Sequence, residues 1–146
     1  MKLQSDLREF IELLNSHGVD YLIVGGHAVA YHGYPRYTGD MDFFVRPSRE
    51  NAVKVVAALA AFGFGQVGLD AETFTEPEKV VQLGRPPNRI DILTSISGVS
   101  FEEAWGGRVA AVLDGVPVHF IGRVALIANK RAAGRQKDLA DLEELG

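Results

Sequence analysis

Hydrophobic residues recur along this chain with two different periods, and each change of period predicts a new element of secondary structure. Residues 3–14 carry an apolar side chain at every third or fourth position with charged residues between, which is typical of an amphipathic helix. Two short apolar runs follow, at residues 21–24 and 41–45, and glycine or proline closes each of them. Such runs are typical of buried strands, and we expect a short helix over residues 27–32 between them.

The rest of the chain extends this order. Ser48 is a plausible N-cap for a helix that ends near residue 63, and Ser100 with Glu103 matches a capping box that opens another helix. Asp114-Gly115 between two apolar runs predicts a β-hairpin. We expect the remaining strands at residues 80–83, 89–93, 109–113 and 116–120.

Three features complete the outline. Residues 65–79 show no period and predict a mobile loop, and Pro117 predicts that the strand over residues 116–120 lies at a sheet edge. Two short helices divided at Gly134 are expected from about residue 123. The order predicts an α/β (α+β) fold with a mixed β-sheet flanked by helices, in a single domain over residues 1–146.

Composition narrows the class of protein. The 146 residues are 47% hydrophobic and carry a formal net charge of −4, which excludes a disordered chain and disfavours a globally basic nucleic-acid binder. There are no cysteines, so thiolate metal sites and cysteine nucleophiles are excluded. No signal peptide is apparent and no apolar run reaches the ~20 residues of a membrane span. We therefore expect a cytoplasmic protein with no membrane partner.

Three aspartates carry the most informative chemistry. Asp40 and Asp42 are two residues apart in a strand pattern, so their carboxylates share one face, and Asp91 interrupts a second apolar strand. Like charges clustered in strands are unfavourable unless a divalent cation neutralises them, and oxygen-only ligands favour Mg²⁺ or Mn²⁺. If the two strands are neighbours, the three carboxylates could hold two metal ions about 4 Å apart for phosphoryl transfer. The alternative is that an Asp-x-Asp pair at a strand edge simply faces solvent.

Phosphate-binding features lie close to these acids in the sequence. Gly25 and Gly26 follow a buried strand and precede a helix, where glycine lets backbone N–H groups approach an anion, although a tight turn alone also favours glycine. Arg36 and Thr38 add a cation and a hydroxyl just before Asp40.

With these residues in place, the chain resembles the DNA polymerase β-type nucleotidyltransferase superfamily. The likeness rests on Val24-Gly25-Gly26, a spacer, Asp40-Met41-Asp42-Phe43 and the later Asp91. Arg36-x-Thr38-x-Asp40-x-Asp42, Lys130 and the segment over residues 134–142 are similar to small bacterial nucleotidyltransferases grouped with the AbiEii-type toxins. The resemblance implies a nucleotidyltransferase fold.

The resemblance also implies an activity: transfer of a nucleoside monophosphate from an NTP such as ATP to an acceptor hydroxyl, with release of pyrophosphate. Asp40 and Asp42 would hold both Mg²⁺ (or Mn²⁺) ions, and Asp91 would bind the catalytic ion and help to deprotonate the acceptor. Gly25 and Gly26 would cradle the phosphates. RNA, a protein or a small molecule, such as an antibiotic, could be the acceptor, and a partner subunit or a homo-oligomer could complete the site. The alternative is a non-catalytic nucleotide-binding or toxin–antitoxin partner module.

Charged residues near these motifs leave several alternatives. Lys130 is a candidate phosphate ligand, whereas Arg135 and Lys137 are expected on a solvated helix face. For Asp138 and Asp141 the resemblance suggests a role, and i,i+4 surface pairing explains them equally well. Arg89 shares a strand face with Asp91, so it is either a site cation or the ion-pair partner of that aspartate.

Overall fold

Within the residues that the structure describes, six strands and six α-helices follow one another in the order that the sequence predicts. A computed structural model describes residues 3–33, 39–64, 69–85 and 88–146. The elements are α1 (Ser5–Ser16), β1 (Tyr21–Val24), α2 (Gly25–His32), β2 (Met41–Val45), α3 (Arg49–Leu59), β3 (Val80–Leu83), β4 (Ile90–Leu93), α4 (Phe101–Gly106), β5 (Val109–Leu113), β6 (Val116–Phe120), α5 (Arg123–Ala133) and α6 (Gln136–Leu145).

All six strands join one mixed sheet in the order β3-β4-β2-β1-β6-β5. The pairs β3–β4, β2–β1 and β6–β5 are antiparallel, whereas β4 runs parallel to β2 and β1 runs parallel to β6. The predicted α+β architecture, a mixed sheet flanked by helices, is therefore confirmed. The strands that carry the acidic residues, β2 and β4, are neighbours near the middle of the sheet.

Helices cover the two faces of β2 differently. The Phe43 ring of β2 meets the Phe10 ring of α1 edge-on, with centroids 5.2 Å apart. Successive residues of a strand point to opposite faces, so Asp42 points away from α1. Helix α2 packs against β1 and β2 and begins beside Asp42. The sheet thus has an aromatic face toward α1 and a face that carries the carboxylate toward the start of α2.

The helix caps and the turn that the sequence predicts are present in the structure. The Ser48 hydroxyl accepts a hydrogen bond from a backbone N–H of the first turn of α3, at 3.2 Å. Ser100 and Glu103 exchange hydrogen bonds with each other's backbone N–H, at 3.2 and 3.0 Å, and complete the capping box of α4. Asp114 and Gly115 both have positive φ (48° and 79°) in the β5–β6 turn. These contacts fix where the elements begin and turn.

The prediction that Pro117 marks an edge strand is wrong, because β6 lies between β1 and β5. Strand β1 meets β6 only where Ile23 lies beside Phe120. Pro117 lies beyond that contact and pairs with Val112 on its β5 side, so it does not need to donate toward β1. The proline is thus tolerated because the neighbouring strand is short.

The predicted mobile loop over residues 65–79 is also wrong in part, within residues 69–79, whereas residues 65–68 lie outside the described residues. A 3₁₀ turn spans Ala71–Phe74, and the Asp70 carboxylate accepts a hydrogen bond from the Thr73 backbone N–H at 3.2 Å. Phe74 is fully buried and joins the hydrophobic core. Phe74 anchors this segment, and Leu69 and Ala71 also pack against the core, but so few apolar residues produce no period for a sequence pattern to detect. None of the helices in the described ranges is long and apolar enough to cross a bilayer.

Candidate active site

Strand register brings two of the predicted acidic residues side by side. Asp42 on β2 is directly paired with Asp91 on the parallel neighbour β4, so the charge of Asp91 acts on the Asp42 carboxyl group. Asp40 lies just before β2, and one of its oxygens accepts the Arg89 backbone N–H at 3.0 Å. The acids could converge only if β2 and β4 were neighbours, and the structure shows that they are.

This convergence changes the ionisation of Asp42. Burial, followed by the charge of Asp91, raises its pKa to about 7, and Lys137 partly opposes that rise. The same carboxylate therefore holds a proton in much of the population near neutral pH. A proton on Asp42 relieves the repulsion between this carboxyl group and Asp91.

Gly25 lies against the Asp42 carboxylate and begins α2. Its φ is +67°, and a Cβ at this position would lie 2.1 Å from Asp42 Oδ2. Only glycine allows both that backbone conformation and that approach. The first turn of α2, with Gly26 next in line, therefore places backbone N–H groups beside the acids, where the helix dipole favours negative charge.

Arg89 is the cation in direct contact with the acidic cluster. Its Nε and Nη2 donate to the two Asp91 carboxylate oxygens at 2.7 and 3.0 Å, and Nη2 is 3.5 Å from Asp40 Oδ2. The structure confirms Arg89 as the ion-pair partner of Asp91, and its role as a site cation stays a prediction, although its side chain lines the cavity.

A cavity of about 1190 Å³ opens over the carboxylates. Its floor is formed by the N-terminal ends of β2 and β4 with the start of α2, and its walls come from two further parts of the chain. One wall is made by polar and apolar residues around β3 and β4, and the other by residues of α5 and α6. The described residues on these two walls include Glu78, Val80, Ser95, Ser97, Asn129, Lys130, Arg135, Lys137 and Asp141.

Lys130 reaches this cavity from a buried ion cluster. Its Nζ lies 3.2 Å from Asp138 Oδ1 and 3.1 Å from Asp141 Oδ2, and its side chain is 5% exposed. Burial opposes the ionisation of Asp138, but hydrogen bonds from Arg135 and Lys130 outweigh it and lower the Asp138 pKa to about 2. Lys130 thus holds α5 to α6, and its predicted role as a phosphate ligand stays a prediction.

The surface interpretation of the C-terminal segment is wrong for two residues. Asp138 and Asp141 are buried (0% and 5% exposed) and bind Lys130 instead of pairing on the surface. Arg135 and Lys137 are exposed, as a solvated face requires, and they also line the cavity beside the acids. The available signal was Gly134, whose left-handed conformation (φ +62°) ends α5 and turns α6 back toward the sheet.

Two predicted residues, Arg36 and Thr38, lie outside the described residues. Among those described, no group of three or more acidic or histidine side chains is arranged as a ready metal site. The donor set of Asp40, Asp42 and Asp91 nevertheless has the all-oxygen chemistry that Mg²⁺ and Mn²⁺ prefer, and Gly25 keeps the space beside Asp42 open. The residues therefore fit a hard divalent cation once Arg89 is displaced.

Neither a protein-family profile nor a curated protein matches this chain. Solved structures do resemble it. The lincosamide antibiotic adenylyltransferase LnuA with lincomycin bound is 14% identical at a TM-score of 0.58, covering 98% of this chain and 96% of LnuA. ANT(2″)-Ia in complex with adenylyl-2″-tobramycin is 15% identical at 0.57, covering 95% and 84%. TM1012 of Thermotoga maritima, a nucleotidyltransferase candidate, is 14% identical at 0.59, covering 94% and 88%. The chain thus has the nucleotidyltransferase fold.

Proposed function

We propose that this protein is a metal-dependent nucleotidyltransferase that moves a nucleoside monophosphate from an NTP to an acceptor hydroxyl and releases pyrophosphate. The observation that carries the proposal is the direct pairing of Asp42 with Asp91 on neighbouring strands, with Gly25 against the Asp42 carboxylate. Such a cluster is costly for stability, since burial and like charge raise the pKa of Asp42 to about 7. A bound cation in a phosphoryl-transfer site offsets that cost.

In this proposal each part of the site has a separate task. Asp40, Asp42 and Asp91 would hold Mg²⁺ or Mn²⁺, which neutralises charge on the transferring phosphoryl group when bound. Backbone N–H groups at Gly25 and Gly26 would orient the phosphates. The acceptor oxygen forms a bond to the α-phosphorus while the bond to the bridging oxygen breaks. The hydroxyl proton goes to Asp91, and pyrophosphate leaves with its bonding electrons.

Cations at the cavity rim would neutralise the triphosphate. Lys137 is exposed, lines the cavity and is close enough to Asp42 to lower its pKa. Arg135 lines the same wall with a side chain that is 64% exposed. Lys130, by contrast, is already bound to two carboxylates. We therefore expect Lys137 and Arg135 to contribute more to nucleotide affinity than Lys130.

A small hydroxylated molecule is the acceptor class that we favour over an RNA or a protein end. LnuA, solved with lincomycin, matches this chain over 96% of its own length, and ANT(2″)-Ia was solved with adenylyl-2″-tobramycin. The cavity offers Glu78 and Ser95 near β3 and β4, and Asn129 on α5, as hydrogen-bonding groups. These groups could bind a polyhydroxylated ligand without help from a second domain.

The alternative is a non-catalytic nucleotide-binding or toxin–antitoxin partner module, as the similarity to AbiEii-type proteins suggests. The contact that favours it is the pairing of Arg89 with two of the three acids, which satisfies part of the cluster without metal. A partner module would bind nucleotide, or a partner subunit, and would transfer nothing.

Calorimetric titration with ATP, GTP, CTP and UTP separates these proposals. Each nucleotide is added with Mg²⁺ and then with EDTA, followed by α-labelled nucleotide with aminoglycosides, lincosamides, RNA and protein as acceptors. Metal-dependent binding with label on an acceptor supports the enzyme, and binding without transfer to any acceptor supports the module. Asp42→Asn should abolish both signals. Glu50→Gln is the matched control, because that acid is 86% exposed on α3 and outside the cavity.

A further inference from the structure

Arg89 holds the acidic cluster through its side chain and its backbone. The guanidinium binds both Asp91 oxygens, and one of its nitrogens also faces Asp40. The Arg89 backbone N–H donates to Asp40 Oδ1, and its carbonyl accepts the Met41 N–H at 3.0 Å. The backbone contacts keep β4 beside β2, so the side chain can leave without opening the sheet.

The Arg89 side chain occupies the position at Asp91 that a metal cation would need. The Arg89 guanidinium binds the two Asp91 oxygens that a metal cation would use. The ion pair is bidentate, which is the geometry typical of arginine and carboxylate. Asp91 itself is only 11% exposed, whereas the Arg89 side chain is 27% exposed and borders the cavity. A divalent cation at Asp91 would meet a positive charge a few ångströms away unless Arg89 moved into the open cavity.

We propose that Arg89 is an internal counter-cation that occupies the acidic cluster when no metal is bound and competes with the divalent cation for Asp91 and Asp40. This inference rests on the proposed function, because it concerns the same cluster. A divalent cation then enters the acidic cluster as the Arg89 guanidinium leaves it. The displaced guanidinium lies in the cavity, where it can meet the triphosphate, so nucleotide binding favours the metal-bound arrangement.

Mn²⁺ binding without nucleotide or acceptor tests the competition. Free Mn²⁺ is followed by electron paramagnetic resonance for the wild-type protein and for Arg89→Gln, which removes the charge and keeps an amide beside Asp91. We expect the Kd of the variant to fall about tenfold, the size of a repulsion between a monovalent and a divalent charge across ~5 Å of water-like medium. Arg85→Gln is the matched control, since this exposed arginine lies in the same loop, and its Kd should stay within about twofold.

A second measurement follows the wild-type protein itself, and a variant serves only to assign the resonance. In wild-type protein with ¹⁵N-labelled arginine, the Arg89 Nε–H resonance should be protected from exchange without metal and should lose that protection as Mg²⁺ saturates. Arg89→Lys identifies the resonance by its absence.

The outcomes separate the two proposals. Equal or weaker Mn²⁺ binding by Arg89→Gln, or a resonance that Mg²⁺ leaves protected, overturns the counter-cation and leaves Arg89 as a residue that only positions Asp91. If no protein binds Mn²⁺, the metal site of the proposed function fails, and the counter-cation fails with it. Tighter binding by Arg89→Gln with loss of protection supports both.

Discussion

Replacing Asp42 by asparagine should stabilise the metal-free protein, and increasingly so as the pH rises. The wild-type carboxyl has a pKa of about 7 in the folded state against 3.8 in the unfolded state, first because of burial and then because of Asp91. The folded state therefore binds the proton more tightly. Its contribution to stability is fully present below pH 3.8 and is lost as the pH rises through 7. Asparagine has nearly the same shape and never ionises.

The magnitude follows from the size of that shift. About three pKa units correspond to about 4 kcal/mol between conditions well below and well above both values. Between pH 5 and pH 8, about 2.5 kcal/mol of this contribution to the free energy of unfolding is lost. Solvent that reaches the side chain reduces the effect, so we expect the advantage of Asp42→Asn in free energy of unfolding to grow by about 1–2.5 kcal/mol.

Urea unfolding at pH 5 and pH 8, in EDTA, measures this change. Other groups such as His119, whose pKa burial lowers, titrate in both proteins and cancel in the difference. Asp138 does not interfere, because its pKa of about 2 lies below the range. Glu50→Gln should show no growing advantage. An Asp42→Asn advantage that is flat, or that shrinks toward pH 8, would refute the account of a destabilising carboxylate pair.

Three further substitutions test other contacts. Gly25→Ala should lower stability by about 1–3 kcal/mol and abolish metal-dependent nucleotide binding, because its Cβ meets the Asp42 carboxylate; unchanged calorimetric titration would contradict this. Lys130→Met should cost about 3–5 kcal/mol in urea unfolding, since it removes the buried cation that contacts both Asp138 and Asp141, and a loss below about 1 kcal/mol would show that the cluster contributes little. Ser100→Ala should cost about 1 kcal/mol, as the capping box with Glu103 is lost, and nucleotide binding should not change.

The sequence predicts those parts of the fold that depend on neighbours along the chain. Ser48, Ser100 and the Asp114-Gly115 turn act within a few residues, and each forms as expected. The candidate site was predictable because aspartates are unfavourable within apolar strands, so Asp42 and Asp91 stand out in the sequence. Pro117 misled the prediction, since its tolerance depends on where the distant strand β1 ends.

The C-terminal part of the site was harder to predict for the same reason. The last helix has charged residues at surface-like spacing, and nothing in that spacing distinguishes buried Asp138 from exposed Lys137. The distinction depends on the angle at which the chain leaves Gly134. Similarly, the sequence placed Arg89 on the face of Asp91, but only the three-dimensional arrangement shows that it also reaches Asp40.

The pairing of Asp42 with Asp91 has a consequence for how the chain folds. The two residues are 49 positions apart and become neighbours only when β4 docks beside β2. Two like charges must approach at that step, so the centre of the sheet closes against a repulsion that protons relieve. We expect the β3–β4 hairpin to dock late, and refolding to be faster at pH 5 than at pH 8, with Asp42→Asn removing the difference. Asp42 and Asp91, the residues proposed to hold the metal, would then also limit the rate at which the sheet folds.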